Sequence, residues 1–437
     1  MKNLKRAAGL VILAGILAFG INTAANVLER KSSDFKYAPF FEQDEDFDVL
    51  FMGTSHVMQG IFPMELWNDY GIVSYNFGGH SNRLPTTYWV MENALNYTNP
   101  KLVVIDMLFV GSREKVSDNS DFIHLSFDCF PLTWTKIKGI YDLCDDPDAV
   151  DKNGVCYYDC RLEYIWDFGK YHSRWAEITE NDFTNSMKTK EKGAESRIAV
   201  SVPPAYSLIP ESETFNIDDT AGVEYLRKMI EDCKARGIDV LLINLPYPAG
   251  EMDQRTANSV NEIAREYDID YINFVAMDNV VDYSIDCFDA EHLNPSGARK
   301  VTDYLGQYIK DHYDIPDRRE TQEYASWYDD YSEYTEDKKA AINNADSLET
   351  ELMLLADRNF SSSIHIKDGS AVLQDERIQR LLENIPDLTI QSDDMSGLYN
   401  SESLKPELDV QVAVTEKSTG ELISASGWKY TAPGTNE

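Results

Sequence analysis

Short, nearly uninterrupted apolar runs alternate along much of this chain with longer stretches in which apolar residues recur every three or four positions. The first kind, bounded by glycine, asparagine or proline, reads as strand, and the second as amphipathic helix. Strands are predicted at 48–52, 72–77, 101–107, 240–244 and 270–274. Helical spacing falls at 57–70, interrupted near Pro63, and at 88–95, 221–236, 256–267 and 296–312. Strands that are apolar on both sides and separated by helices predict a parallel sheet covered on both faces, a layered α/β fold.

The alternation lapses between about 110 and 220, a length that predicts a folded insertion on one side of the sheet instead of a simple connection. The layered domain is expected to span 47–315. Residues 316–337, acidic and rich in tyrosine, read as a surface linker. Helical spacing at 341–356 and 376–382, with strand-like alternation at 363–366 and 410–414, predicts a small accessory α+β unit over 338–430. A loose tail is expected at 431–437.

The first segment has a pattern of its own. Lys2, Lys5 and Arg6 precede an almost uncharged run over 7–28. At about 1.5 Å per residue a helix of this length crosses a hydrocarbon layer of roughly 30 Å. Residues 1–31 therefore read as a membrane anchor, and 32–46 as a tether. The basic start predicts a cytoplasmic N-terminus, with everything beyond Glu29 outside the membrane. The small residues Thr23-Ala24-Ala25 leave a cleaved signal peptide, and hence a secreted product, as the alternative; a buried helix of a soluble domain is the third.

Composition narrows the function classes. With 43% hydrophobic residues, 18 Phe, 25 Tyr and 7 Trp in 437 residues, the chain is not a low-hydrophobicity disordered polymer. Its 75 acidic against 40 basic residues, a net charge of −35, argue against a nucleic-acid partner, because phosphate binding needs a positive patch.

Two short stretches carry candidate chemistry. Gly53-Thr54-Ser55-His56 follows the first strand and leaves Ser55 at a helix start, where backbone amides favour negative charge. A helix cap explains the same serine without chemistry. Phe288-Asp289-Ala290-Glu291-His292-Leu293-Asn294-Pro295 sets an acid three residues before a histidine, just ahead of the last helix. A serine hydroxyl is a weak nucleophile unless a base takes its proton, and the base needs an acid to orient it. Ser55, His292 and Asp289 are thus a candidate triad, the alternative being a surface Asp–His contact. His56, His80, Asn82, Arg83, Asn244 and Tyr247 are candidate substrate contacts, each with a competing role in a turn or cap.

On these stretches the chain resembles the SGNH/GDSL hydrolase superfamily, with Gly53-Thr54-Ser55 in place of Gly-Asp-Ser and Asp289-Ala290-Glu291-His292 as the last block. The resemblance implies a flavodoxin-like three-layer α/β/α sandwich. It makes Ser55 the nucleophile, His292 the base and Asp289 the third member. The second block, Asn76-Phe77-Gly78-Gly79-His80-Ser81-Asn82, implies an oxyanion hole formed by the amides of Ser55 and of Gly78 or Gly79. The third block departs: Ile105-Asp106-Met107-Leu108-Phe109 stands where Gly-x-Asn-Asp is expected, without the asparagine. In that respect the chain is similar to a membrane-associated branch that includes the D-alanine transfer protein of teichoic-acid modification and polysaccharide O-acetylation proteins. Such relatives work beside a membrane-bound O-acyltransferase. The implied activity is transfer of a small acyl group, acetyl foremost, to a hydroxyl of an extracellular or cell-wall glycan, with a bacterial membrane as anchor and no cofactor or metal. An extracellular carbohydrate esterase or deacetylase is the nearest alternative, and a noncatalytic glycan-binding or assembly protein the next.

Six cysteines do not make a disulfide scaffold in a chain of this length, although external placement permits bridges among Cys129, Cys144, Cys156 and Cys160. Cys156-x-x-x-Cys160 lacks a complete zinc spacing. The 359–368 and 378–382 stretches resemble a small accessory domain of surface proteins from Gram-positive anaerobes, for which glycan or partner binding and a plain packing or spacer role both stand open.

Overall fold

The computed structural model describes residues 2–28, 36–43, 45–184, 191–367, 370–391 and 407–430. Five parallel strands, β1 (Val49–Gly53), β2 (Ser74–Gly78), β3 (Leu102–Asp106), β4 (Asp239–Asn244) and β5 (Asp270–Asn273), form a sheet in the order β2-β1-β3-β4-β5. Side chains alternate between faces along a strand. Leu50, Met52, Val103, Ile105, Val240 and Leu242 enter one apolar core, while Val49, Phe51, Leu102, Val104, Leu241 and Ile243 enter a second. That double burial is why these runs are apolar at every position. On the first face lie α4 (Leu84–Ala94), α10 (Ala221–Ala235) and α11 (Glu251–Tyr267); on the second lie α2 (Ser55–Gly60) and α12 (Pro295–His312), with α3 (Pro63–Tyr70) packed against α12. The architecture is a mixed α/β arrangement of three layers, as the strand and helix spacing predicts.

The insertion contains α5 (Asp121–Phe127), α6 (Trp134–Leu143), α7 (Arg161–Ile165), α8 (Phe168–Tyr171) and α9 (Asn181–Thr184). Phe127, Phe130, Ile140 and Leu143 join the first core.

Two segments expected to be loose are built into the domain. In the expected tether, Tyr37 and Phe40 are buried against Phe77, with ring centroids 5.1 and 4.9 Å away. In the expected linker 316–337, α13 (Ser326–Asn343) begins, and its Trp327 is fully buried against Trp67 at 5.4 Å and Phe47 at 6.2 Å. Removing such an indole costs about 3–5 kcal/mol, so the segment is bound to the domain surface by its aromatic residues despite its acidity.

A second sheet has the order β7-β6-β8-β9, from β6 (Phe360–Ile366), β7 (Leu388–Gln391), β8 (Val410–Glu416) and β9 (Leu422–Trp428). β6 and β7 are parallel, the other pairs antiparallel. α14 (Leu348–Leu354) and α15 (Glu376–Glu383) close its core, which also takes in Ile285 from the larger domain. Nearly buried charges join the two parts: Arg299 and Lys338 meet Asp357 at 3.2 and 3.0 Å and Glu65 at 3.5 and 3.1 Å. The tail 431–437 lies outside the described residues.

At the other end, α1 (Lys2–Leu28) is long and apolar enough over Lys5–Leu28 to cross a membrane. From Lys5 onward only its last turn is covered by protein, with Ala25 and Leu28 buried.

Candidate active site

Strand β1 ends at Gly53 and the chain turns at once into α2. Thr54 caps that helix from an extended conformation, its hydroxyl oxygen accepting the His56 amide at 3.1 Å. The same hydroxyl donates to Asp106 Oδ2 at 3.2 Å, at the end of the neighbouring strand. A side chain at position 53 would meet Asp106 Cβ and Val57 Cγ2 at 2.7 Å, so only glycine lets β1 and β3 close up here. Ser55 is left as the first helical residue, half-buried at the C-terminal edge of the sheet.

The loop before α12 comes to the same edge. The Phe288 amide donates to the His292 carbonyl at 2.8 Å and closes the loop. Asn294 caps α12 through the amides of Ser296 and Gly297, and its Nδ2 holds the carbonyl of Ile285 at 2.8 Å. In this frame His292 Nε2 lies 2.9 Å from Ser55 Oγ, and His292 Nδ1 lies 3.0 Å from both Asp289 oxygens. Asp289 also accepts the amides of Glu291 and His292, each at 2.8 Å. Partial burial opposes ionisation of Asp289, yet those amides and the imidazole outweigh it and hold its carboxyl below the ordinary range. An ionised Asp289 favours a proton on Nδ1 and leaves Nε2 as the acceptor facing the serine.

The other residues singled out in the sequence divide. His56 is buried, its ring 5.2 Å from that of His292 and 5.0 Å from that of Tyr247. Burial, and then the neighbouring His292, push its pKa down to about 3, so it is a neutral wall of the site. Tyr247 and Asn244 are also buried and are no surface for a substrate as they stand. Asn82 turns inward, where its Oδ1 accepts from Ser126 Oγ at 2.8 Å. His80 stacks on Phe122 at 5.5 Å, and the Arg83 guanidinium lies 3.8 Å over the Phe109 ring. Both keep part of their surface open and remain able to touch a ligand.

The expected oxyanion hole needs correction. The Gly78 amide donates to Asn76 Oδ1 at 2.9 Å, and the Gly79 amide to the Gly53 carbonyl at 3.0 Å. Both donors are taken within the chain. The glycines serve close packing instead: a Cβ at 78 would meet Met58 N at 2.3 Å, and one at 79 would meet Asn82 Nδ2 at 2.2 Å. Among the described residues no acceptor is paired with the Ser55 amide, which stays open.

Three structural supports were not singled out from the sequence. Asn76, besides holding Gly78, donates to the carbonyls of Val57 and Ile61 at 2.7 and 2.8 Å and so ties β2 to α2. Asp106 lies beneath Thr54, and burial raises its pKa to about 7 against the amides and hydroxyl it accepts. Asp286, fully buried, accepts Lys300 Nζ at 2.6 Å and Ser296 Oγ at 2.7 Å behind the His292 loop. An Asp closing an apolar strand was the available signal for Asp106; the other two depend on tertiary neighbours.

All six cysteines are free thiols. Burial raises those of Cys129, Cys144 and Cys287 to about 12, which makes them inert. Among the described residues no group of three or more His, Cys, Asp or Glu is placed to hold a metal ion. A cavity of about 210 Å³ between α12 and the second sheet, lined by Glu65, Arg299, Asp303 and Arg358, does not include Ser55, His292 or Asp289. Comparisons with protein-family models, with curated proteins and with solved structures find no match.

Proposed function

We propose that the protein is a serine-dependent acyl-transfer enzyme of the SGNH type that moves a small acyl group, acetyl foremost, onto a hydroxyl of a surface glycan. The observation that carries this reading is the continuous hydrogen-bonded chain Ser55–His292–Asp289 at the C-terminal edge of a parallel sheet, the edge where ligands bind in open α/β folds. The strand order is that of flavodoxin-like folds, which supports the same assignment.

In this reading His292 Nε2 takes the Ser55 proton as Oγ bonds to the acyl carbonyl carbon. The tetrahedral oxyanion is met by the Ser55 amide. His292 then gives the proton to the leaving oxygen, and the acyl-serine remains. A glycan hydroxyl, deprotonated by His292, attacks that ester; the carbonyl re-forms, the acylated glycan leaves, and the proton returns to Ser55. Asp289 stabilises the imidazolium throughout. Loss of one oxyanion donor costs about 3 kcal/mol, so with the Gly78 and Gly79 amides engaged, turnover awaits release of the Gly78 N–H by Asn76 or a donor brought by a partner. That requirement favours transfer beside a membrane-bound O-acyltransferase over free hydrolysis. The helix α1 supports a single-pass protein with its bulk on the outer side.

The test is labelling of the full chain with a serine-reactive phosphonate, followed by peptide mapping. The label is expected on Ser55 and is expected to vanish in His292→Ala. Incubation with an activated acyl ester and a glycan then reads the outcome. Acylated glycan supports transfer; release of free acid alone, even beside the membrane partner, assigns the protein as an esterase. No label on Ser55, with cellular glycan unchanged in Ser55→Ala, assigns it as noncatalytic.

A further inference from the structure

The last turn of α1 is seated on the insertion. It packs against α8, α9 and the short 3-10 turn His172–Ala176 between them. Arg174 Nη1 donates to the Leu28 carbonyl at 2.7 Å and Arg174 Nη2 to Asp182 Oδ1 at 3.0 Å, so one guanidinium caps the helix end and braces it to α9. A cation at that position also suits the negative end of the helix dipole. The rest of α1 back to Lys5 is uncovered by protein.

Around this seat the insertion exposes large apolar side chains that have no role in the core. Trp175 is 71% exposed and Phe183 66%, and Leu162, Trp166 and Ile178 are exposed with them. On a surface bathed only in water such a cluster is costly, and apolar patches of this kind mark interaction sites. Where a spanning helix leaves the hydrocarbon, tryptophan is the preferred residue, with its ring at headgroup depth. The seat of Leu28 places the exit of the span against the turn that carries Trp175 and the helix that carries Phe183, while Leu162 and Trp166 lie on and just after α7, which packs on α8. We infer that the 161–184 stretch is a bilayer-facing platform, with Leu162, Trp166, Trp175, Ile178 and Phe183 dipping into the headgroup and upper acyl layer around the exit of α1. The platform is joined to the sheet edge: Lys170 pairs with Asp121 at the start of α5, and Phe122 carries the stacked His80. It thus holds one side of the candidate site close to the lipid surface. The inference needs α1 to span a bilayer and is independent of the chemistry at Ser55.

The experiment uses the full chain in nanodiscs of phosphatidylglycerol and phosphatidylcholine, with the scaffold belt as the only other protein. Benzoylphenylalanine replaces Trp175, Phe183 or, as a control on the second sheet, Leu422, which is also exposed. After irradiation, mass spectrometry is expected to find lipid adducts at 175 and 183 and none at 422. Trp166→Gln combined with Leu162→Gln is expected to reduce the adduct at 183, while Ser55 labelling by the phosphonate stays unchanged. Absence of lipid adducts at 175 and 183, equal yield at all three positions, or recovery of the chain free of nanodiscs overturns the inference. So does a protein adduct in place of a lipid adduct at 175 in native membranes, which would make the patch a docking face for a membrane protein.

Discussion

His292 is held from both sides, by Ser55 through Nε2 and by Asp289 through Nδ1, and the two contacts make separate predictions. Ser55→Ala is expected to abolish the covalent adduct. Asp289→Asn keeps the loop but offers the imidazole the wrong partner, and a fall of about 10⁴-fold in kcat is expected with little change in KM, measured by steady-state acyl transfer. Two buried groups beside the candidate site contribute opposite pH dependences to stability. His56 is neutral in the fold, with its pKa near 3. The unfolded chain binds more protons over that interval, so stability rises with pH from about 3 to about 6.5. Asp106 acts in the opposite sense, since its pKa near 7 exceeds the unfolded value; the folded chain then binds more protons, and stability falls from about pH 4 to about 7. The two trends oppose each other where they overlap. Asp106→Asn is expected to unmask the first, giving a urea midpoint that climbs more steeply between about pH 4 and about pH 6.5 than that of the native chain. An unaltered slope would show that Asp106 is ionised at all these pH values.

At the scale of elements, the end of β2 lies so close to the start of α2 that position 78 admits no side chain. Gly78→Ala forces Met58 and Thr54 backbone atoms apart, with an expected loss of about 1–3 kcal/mol and a displaced Ser55, read as a lowered melting midpoint together with lost phosphonate labelling. The central strands β1, β3 and β4 are legible in the sequence because their runs are apolar on both faces, β2 and the edge strand β5 through shorter apolar runs, and the candidate triad is legible in part because the Asp289–His292 spacing is local. Trp327 is different: its burial depends on Trp67 and Phe47, hundreds of positions away, and no period within 316–337 encodes that. Occupation of the Gly79 amide is illegible because its acceptor, the Gly53 carbonyl, lies on the neighbouring strand, and that of the Gly78 amide because nothing in the strand pattern shows that the Asn76 side chain, though local, turns back to it. Glycine in a motif specifies room for the backbone; it does not specify which acceptor the amide will find.

Across the whole molecule, Glu65, Arg299, Lys338 and Asp357 form one buried network over α3, α12, α13 and the turn before β6. Burial opposes the charge on Asp357, and Arg299 and Lys338 overcome it, holding its carboxyl below the ordinary carboxylate range. Arg299→Ala leaves two carboxylates to one ammonium, and a loss of about 3–5 kcal/mol is expected. Because the network joins both sheets, unfolding is expected as one transition whether followed by tryptophan fluorescence or by far-ultraviolet circular dichroism; two separated transitions would show that the second sheet folds independently. Ile285 extends that union to the candidate site, for it belongs to the apolar core of the second sheet while its carbonyl is held by Asn294 behind His292. The seam between the units therefore does not run where the chain crosses from one to the other. A foreign C-terminal module joined at residue 338 would leave the loop that carries His292 with Ile285 set against an interior it does not match, so exchange of that module is expected to disturb the candidate site as well as the second sheet.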